Sequence, residues 1–105
     1  MSQFTVYRNP GKSSRAAYPY LLDIQHSVLE DLNTRVVIPL GKLANFKHDA
    51  MQTISPVIEF EGEQLVLLTP QIASVPARLL KEPVGSLAHF RSEIVAALDF
   101  AVSGF

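Results

Sequence analysis

Apolar positions recur along this chain with two periods, and the change from one to the other divides it. Phe4-Thr5-Val6-Tyr7 is a short β-prone run, stopped by Asn9-Pro10-Gly11, which reads as a turn. From Tyr18 to Gln25, Tyr20, Leu22 and Ile24 alternate with Leu21, Asp23 and Gln25, the period of two that predicts a half-buried strand. Arg35-Val36-Val37-Ile38-Pro39-Leu40 predicts a more fully buried one, in which Pro39 calls for a bulge or a strand end. Ser27 to Thr34, between them, is too mixed to assign. Val57-Ile58-Glu59-Phe60 and Leu65-Val66-Leu67-Leu68 flank Glu61-Gly62-Glu63-Gln64 and predict a compact hairpin, with Gly62 taking the dihedral other residues resist. Ile72 to Pro76 predicts a brief extended piece, and Ala77 to Lys81 a helical turn with Pro76 at its first position.

The last segment changes period. Stepping about 100° per residue from Leu87 puts Leu87, Phe90, Ile94, Leu98 and Ala101 in one sector, with Val102 at its rim, which predicts a helix capped by Ser86. Phe100 falls on the opposite side, among His89, Ser92, Asp99 and Ser103, where it would face water. This helix therefore carries two faces that want partners. It completes its own core, docks at a subunit seam, or presents Phe105 to another molecule. Short antiparallel strands followed by one late helix predict a mainly β fold, a small barrel or rolled sheet with the helix packed on it.

Composition narrows the picture. At 105 residues the chain suits a single domain, residues 1–105, while 48% hydrophobic content, 18% charge and a mean hydropathy of +0.18 leave apolar surface that an interface would cover. Nine basic and ten acidic residues create no global field for nucleic acid. Cysteine is absent, which removes disulfides and thiolate chemistry. The opening Met-Ser-Gln-Phe-Thr-Val-Tyr has neither the basic nor the apolar region of a signal peptide, and no apolar run approaches the roughly 18 residues of a membrane span. A cytoplasmic protein without membrane contact is expected.

Candidate chemistry is sparse. His26, His48 and His89 stand apart, so no metal site is expected, and neither a nucleophile elbow nor a glycine-rich phosphate loop occurs. No catalytic residue, cofactor or enzymatic activity is expected. Charge says more: Arg8, Lys12 and Arg15 cluster in the first loop with no acid among them, and Lys42 and Lys47 mark a second basic loop. Such loops are ordinarily just solvated, but they also suit an acidic, flexible partner segment that folds on contact.

These segments together resemble the CcdB family of toxins. The resemblance rests on Gln3-Phe4-x-Val6-Tyr7, Asp23-Ile24-Gln25, Arg35 to Leu40, Ile72 to Pro76, and His89 and Ile94 on a helix closing just after Gly104, in that order over essentially the whole chain. It implies an SH3-like barrel of the CcdB, MazF and Kid type, with an antiparallel sheet, a small hairpin sheet and a homodimer whose terminal helices meet near the two-fold axis at Ala101 and Val102. It also implies a toxin that binds the A subunit of DNA gyrase, traps the cleaved gyrase–DNA complex and so blocks replication and transcription. A cognate antitoxin with a disordered acidic C-terminal segment would neutralise it, and that complex would bind operator DNA to autoregulate the operon, the arrangement that serves plasmid maintenance.

Carried over by position, the gyrase-binding residues would be Val28, Leu29, Asp99, Ser103, Gly104 and Phe105, and the antitoxin-binding residues Arg8, Arg15 and Asp23. Where the family pattern ends Trp-Gly-Ile, this chain ends Ser103-Gly104-Phe105. Serine cannot stack as tryptophan does, a loss of about 2 kcal/mol unless Phe100 or Phe105 supplies the ring. Asp99 stands where asparagine is usual, exchanging a donor for a charge. Two other readings fit these residues, an endoribonuclease of the related fold and a non-toxic relative that retains antitoxin binding.

Overall fold

The computed structural model describes residues 3–26, 29, 31–45 and 55–104. Seven strands form one antiparallel sheet: β1 (Thr5–Arg8), β2 (Tyr20–Asp23), β3 (Thr34–Lys42), β4 (Val57–Phe60), β5 (Glu63–Leu67), β6 (Ala73–Pro76) and β7 (Pro83–Ser86). Their order is β4-β5-β3-β2-β1-β7, with β6 also paired to β3. Among the described residues one α-helix, α1 (Arg91–Ser103), follows. The sheet curls around a core in which Val6, Leu22, Ile38, Leu40, Ile58, Leu65, Leu67 and Leu87 meet Ile94 and Ala97 of the helix.

The hairpin forms as predicted, but its turn is tighter. Glu61 and Gly62 occupy it with φ of 52° and 78°, the double left-handed geometry of a two-residue turn whose twist matches the flanking strands. The hairpin is no separate sheet, because β5 pairs with β3 through Leu40, Gly41 and Lys42. Pro39 needs no bulge. It sits where β6, which pairs as far as Val37, has ended and β5, which begins at Leu40, has yet to start, and its carbonyl accepts the Leu68 amide at 3.0 Å. A missing N–H costs nothing there.

Three expectations are corrected. The strand around Tyr20 is buried on both faces: Leu22 joins the main core, while Leu21 packs with Tyr7, Val37 and Leu80 in a second cluster that Val75 helps cover. The helix begins at Arg91, not Ser86, because Pro83–Ser86 is spent as a strand on β1 and Ala88–Phe90 makes a tight 3-10 turn. Ser86 caps that turn through its hydroxyl, 3.1 Å from the Ala88 amide. Finally, Ala101 shares a stripe with Ile94 and Ala97 yet is exposed, since the helix outruns the sheet in its last turn, whereas Phe100, expected in water, is half-buried.

Candidate functional site

Three regions hold the residues singled out by sequence. The first is the free end of α1, whose α-helical hydrogen bonding stops at Gly104. There φ is 81° and the amide donates to the Phe100 carbonyl at 2.9 Å, an end only glycine reaches cheaply. The Ser103 hydroxyl donates to the Asp99 carbonyl at 2.7 Å, so this serine is bound to its own helix. Asp99, Ala101, Ser103 and Gly104 are all exposed, and Val102 is 84% exposed, the largest figure among the big apolar side chains described. Apart from the half-buried Phe100, the last turn stands off the protein's own core. Phe105 lies outside the described residues.

The second region is the connection from β2 to β3. Leu29 is 46% and Leu32 52% exposed, three residues apart on a tight turn in which the Leu29 amide donates to the His26 carbonyl and the Leu32 amide to the Leu29 carbonyl. Val28 lies outside the described residues. Beyond the turn, Leu32, Asn33, Thr34, Pro76, Ala77 and Arg78 line an open groove of about 490 Å³. Two of these residues are bonded to each other, the Ala77 amide donating to the Asn33 carbonyl at 2.7 Å.

The third region is the first loop, where Asn9 is the organiser. Its Nδ2 donates to Ser14 Oγ and the Tyr18 carbonyl at 3.0 and 2.7 Å, and its Oδ1 accepts the Gly11 amide at 2.9 Å. Arg15 donates through Nε to the Asn9 carbonyl at 2.8 Å. Arg8 meets an acid after all, pairing with Glu82 just before β7 at 3.1 Å, although so exposed a pair stabilises little. Lys12 and Lys42 are exposed, and Lys47 and His48 lie outside the described residues.

Asp23 is not a surface residue. Its carboxylate and the Arg35 guanidinium are both 0% exposed and joined at 2.7 and 2.9 Å, through Nη2 and Nε to Oδ2. In the β2–β3 register Asp23 lies opposite Val37, which makes Arg35 its diagonal neighbour on the same face. That geometry commits Asp23 to the interior and removes its side chain from any partner surface. Tyr7 lies nearby: burial pushes its phenol above the usual 10.0, the Asp23 charge adds to the rise, and Arg35 offsets part of it.

Sequence reasoning did not single out Gln25 as a site residue, nor Leu32 and Arg78. The signal for Gln25 was its place two positions after Asp23 on the polar side of the alternation; Leu32 and Arg78 come together only through the pairing of β3 with β6. Among the described residues no cluster of histidines and acids could hold a metal ion, and no helix is long and apolar enough to cross a membrane.

With this geometry in hand, two comparisons place the chain. A family model described as CcdB protein matches residues 3–104. Among solved structures, one described as an endoribonuclease in complex with its cognate antitoxin, from a mycobacterial species, shares the fold with a TM-score of 0.74. It covers 97% of this chain and 94% of its own, at 13% sequence identity.

Proposed function

The chain belongs to the CcdB family, and from that premise we propose that it is the toxin of a toxin–antitoxin pair, acting by binding and not by catalysis. Its target is the A subunit of DNA gyrase, which it traps on cleaved DNA as a homodimer. A cognate antitoxin with an acidic, disordered segment neutralises it. The observation that carries this reading is the last turn of α1: Asp99, Val102, Ser103 and Gly104 are exposed on a helix that has left its own core. Such a turn suits docking, because its backbone is already ordered before a partner arrives. Leu29 adds an apolar anchor on the β2–β3 connection, and Val28 and Phe105 complete the proposed contact set. For the antitoxin, Arg8 at the end of β1 and Arg15 on the loop that Asn9 holds in shape offer cations.

Supercoiled DNA incubated with gyrase and this protein should accumulate protein-linked double-strand breaks. Reversing the charge at Asp99 should reduce that trapping by about tenfold or more while leaving thermal melting nearly unchanged, since the residue is exposed. Equal losses in trapping and stability would make the helix end structural only. A second reading, an RNA-cleaving toxin, draws on the fold shared with an endoribonuclease. Cleavage of RNA by the purified chain without gyrase would favour it.

A further inference from the structure

The turn that exposes Leu29 and Leu32 is held from the inside. Gln25 is buried, and its amide group reaches two places at once. Oε1 accepts the Val36 amide at 3.0 Å, and Nε2 donates to the Leu29 carbonyl at 2.7 Å, the same carbonyl that receives the Leu32 amide at 3.2 Å. The backbone of Gln25 is fixed in turn: its amide donates to Asp23 Oδ1 at 3.0 Å, and its carbonyl accepts Arg35 Nη2 at 3.4 Å. A continuous polar path therefore runs from the buried Arg35–Asp23 pair, through Gln25, to the main chain between two exposed leucines.

We propose that Gln25 is a positioning residue for the partner surface: its side chain sets the pose in which Leu29 and Leu32 are presented, and the Asp23–Arg35 pair sets the pose of Gln25. The proposal rests on the reading that Leu29 touches gyrase, and extends the surface to Leu32. Its physical basis is the cost of ordering. A short turn that carries two large apolar side chains in water gains from an anchor outside itself, and each side chain fixed only on binding subtracts from affinity. Gln25 removes that cost beforehand by tying the Leu29 carbonyl to a strand. Glutamine suits the task because one amide both donates and accepts, as the Val36 amide and Leu29 carbonyl require.

The test uses Gln25→Met, which keeps length and apolar bulk and removes both hydrogen bonds, and Gln25→Glu, which keeps the acceptor for Val36 and removes the donor to Leu29. In the free protein, hydrogen exchange at the Leu32 amide should accelerate about tenfold beyond any change at the Leu22 amide in β2, which reports global opening. Affinity for the gyrase A subunit should fall about tenfold in either variant, but only slightly further when Leu29→Ala is already present. Exchange at Leu32 that merely tracks Leu22, or an equal loss of affinity with and without Leu29→Ala, would overturn the proposal. If the wild-type protein does not bind gyrase at all, it is the functional reading that fails, and the exchange rates alone then decide whether Gln25 holds the turn.

Discussion

Arg35 and Asp23 show how one pair of charges can be both a liability and a fixed point. Neither touches water, and removing either from solvent costs several kcal/mol, which the close contact and the bond from Asp23 to the Gln25 amide offset. Nη1 of Arg35 has no partner among the described residues, so the offset is incomplete. Replacing Arg35 by Met should therefore destabilise the protein by about 3–5 kcal/mol, since it strands the carboxylate. The double change Asp23→Leu with Arg35→Met should recover part of that loss, because no buried charge is left stranded, although the Gln25 amide loses its acceptor. Denaturant midpoints would measure both, and a double variant as unstable as Arg35→Met alone would refute the account. Asp23 was legible in the sequence as a polar position in an alternating strand, and Arg35 as the head of a buried one. Their pairing was not, because alternation tells which side a residue faces but not what covers that side, here Leu80 and Val75.

The strands divide by whether local preference or tertiary demand makes them. β4 and β5 are dense in β-branched and apolar residues around a glycine turn, so the hairpin was legible. β7 is Pro-Val-Gly-Ser, poor in β propensity, and exists because the edge of β1 pairs with it, with a register shift at Val6 and Tyr7 that makes room for Val84. No window of sequence carries that information, and the helix start was misplaced for the same reason. Gly85 explains why β7 cannot be richer. A Cβ there would stand 2.8 Å from the Phe60 ring, which is buried and set edge-on to Tyr20 at 5.4 Å, so the ring has little freedom to retreat. Phe60 thus bridges from β4 to β7, the outer strands at the two ends of the curled sheet. Gly85→Ala should lower stability by about 1–3 kcal/mol through overpacking, and Phe60→Leu in the same chain should return part of it. An unchanged melting temperature for Gly85→Ala would mean that the curl opens at no cost.

The helix end sets the oligomeric behaviour expected of the protein. Ala101 continues the stripe of Ile94 and Ala97 but is exposed, and Val102 beside it is almost wholly so. Burying Val102 would contribute about 1.5–3 kcal/mol per subunit, too little alone for a stable dimer, which needs about 1,000 Å² or more of buried surface. A two-fold seam must therefore recruit more than this turn, and the exposed Ile72 is available on the segment leading into β6. An arginine at position 101 of such a seam would have to lose its hydration and would force a long side chain into a place that a methyl group now holds. Ala101→Arg should accordingly leave the secondary structure of the subunit intact, since the position is solvated in the single chain, while shifting the proposed homodimer toward monomer at micromolar concentration. Sedimentation velocity alongside far-ultraviolet circular dichroism separates the two effects. An undiminished dimer would move the seam away from the helix end, whereas loss of secondary structure would mean that Ala101 supports its own subunit and not a partner's.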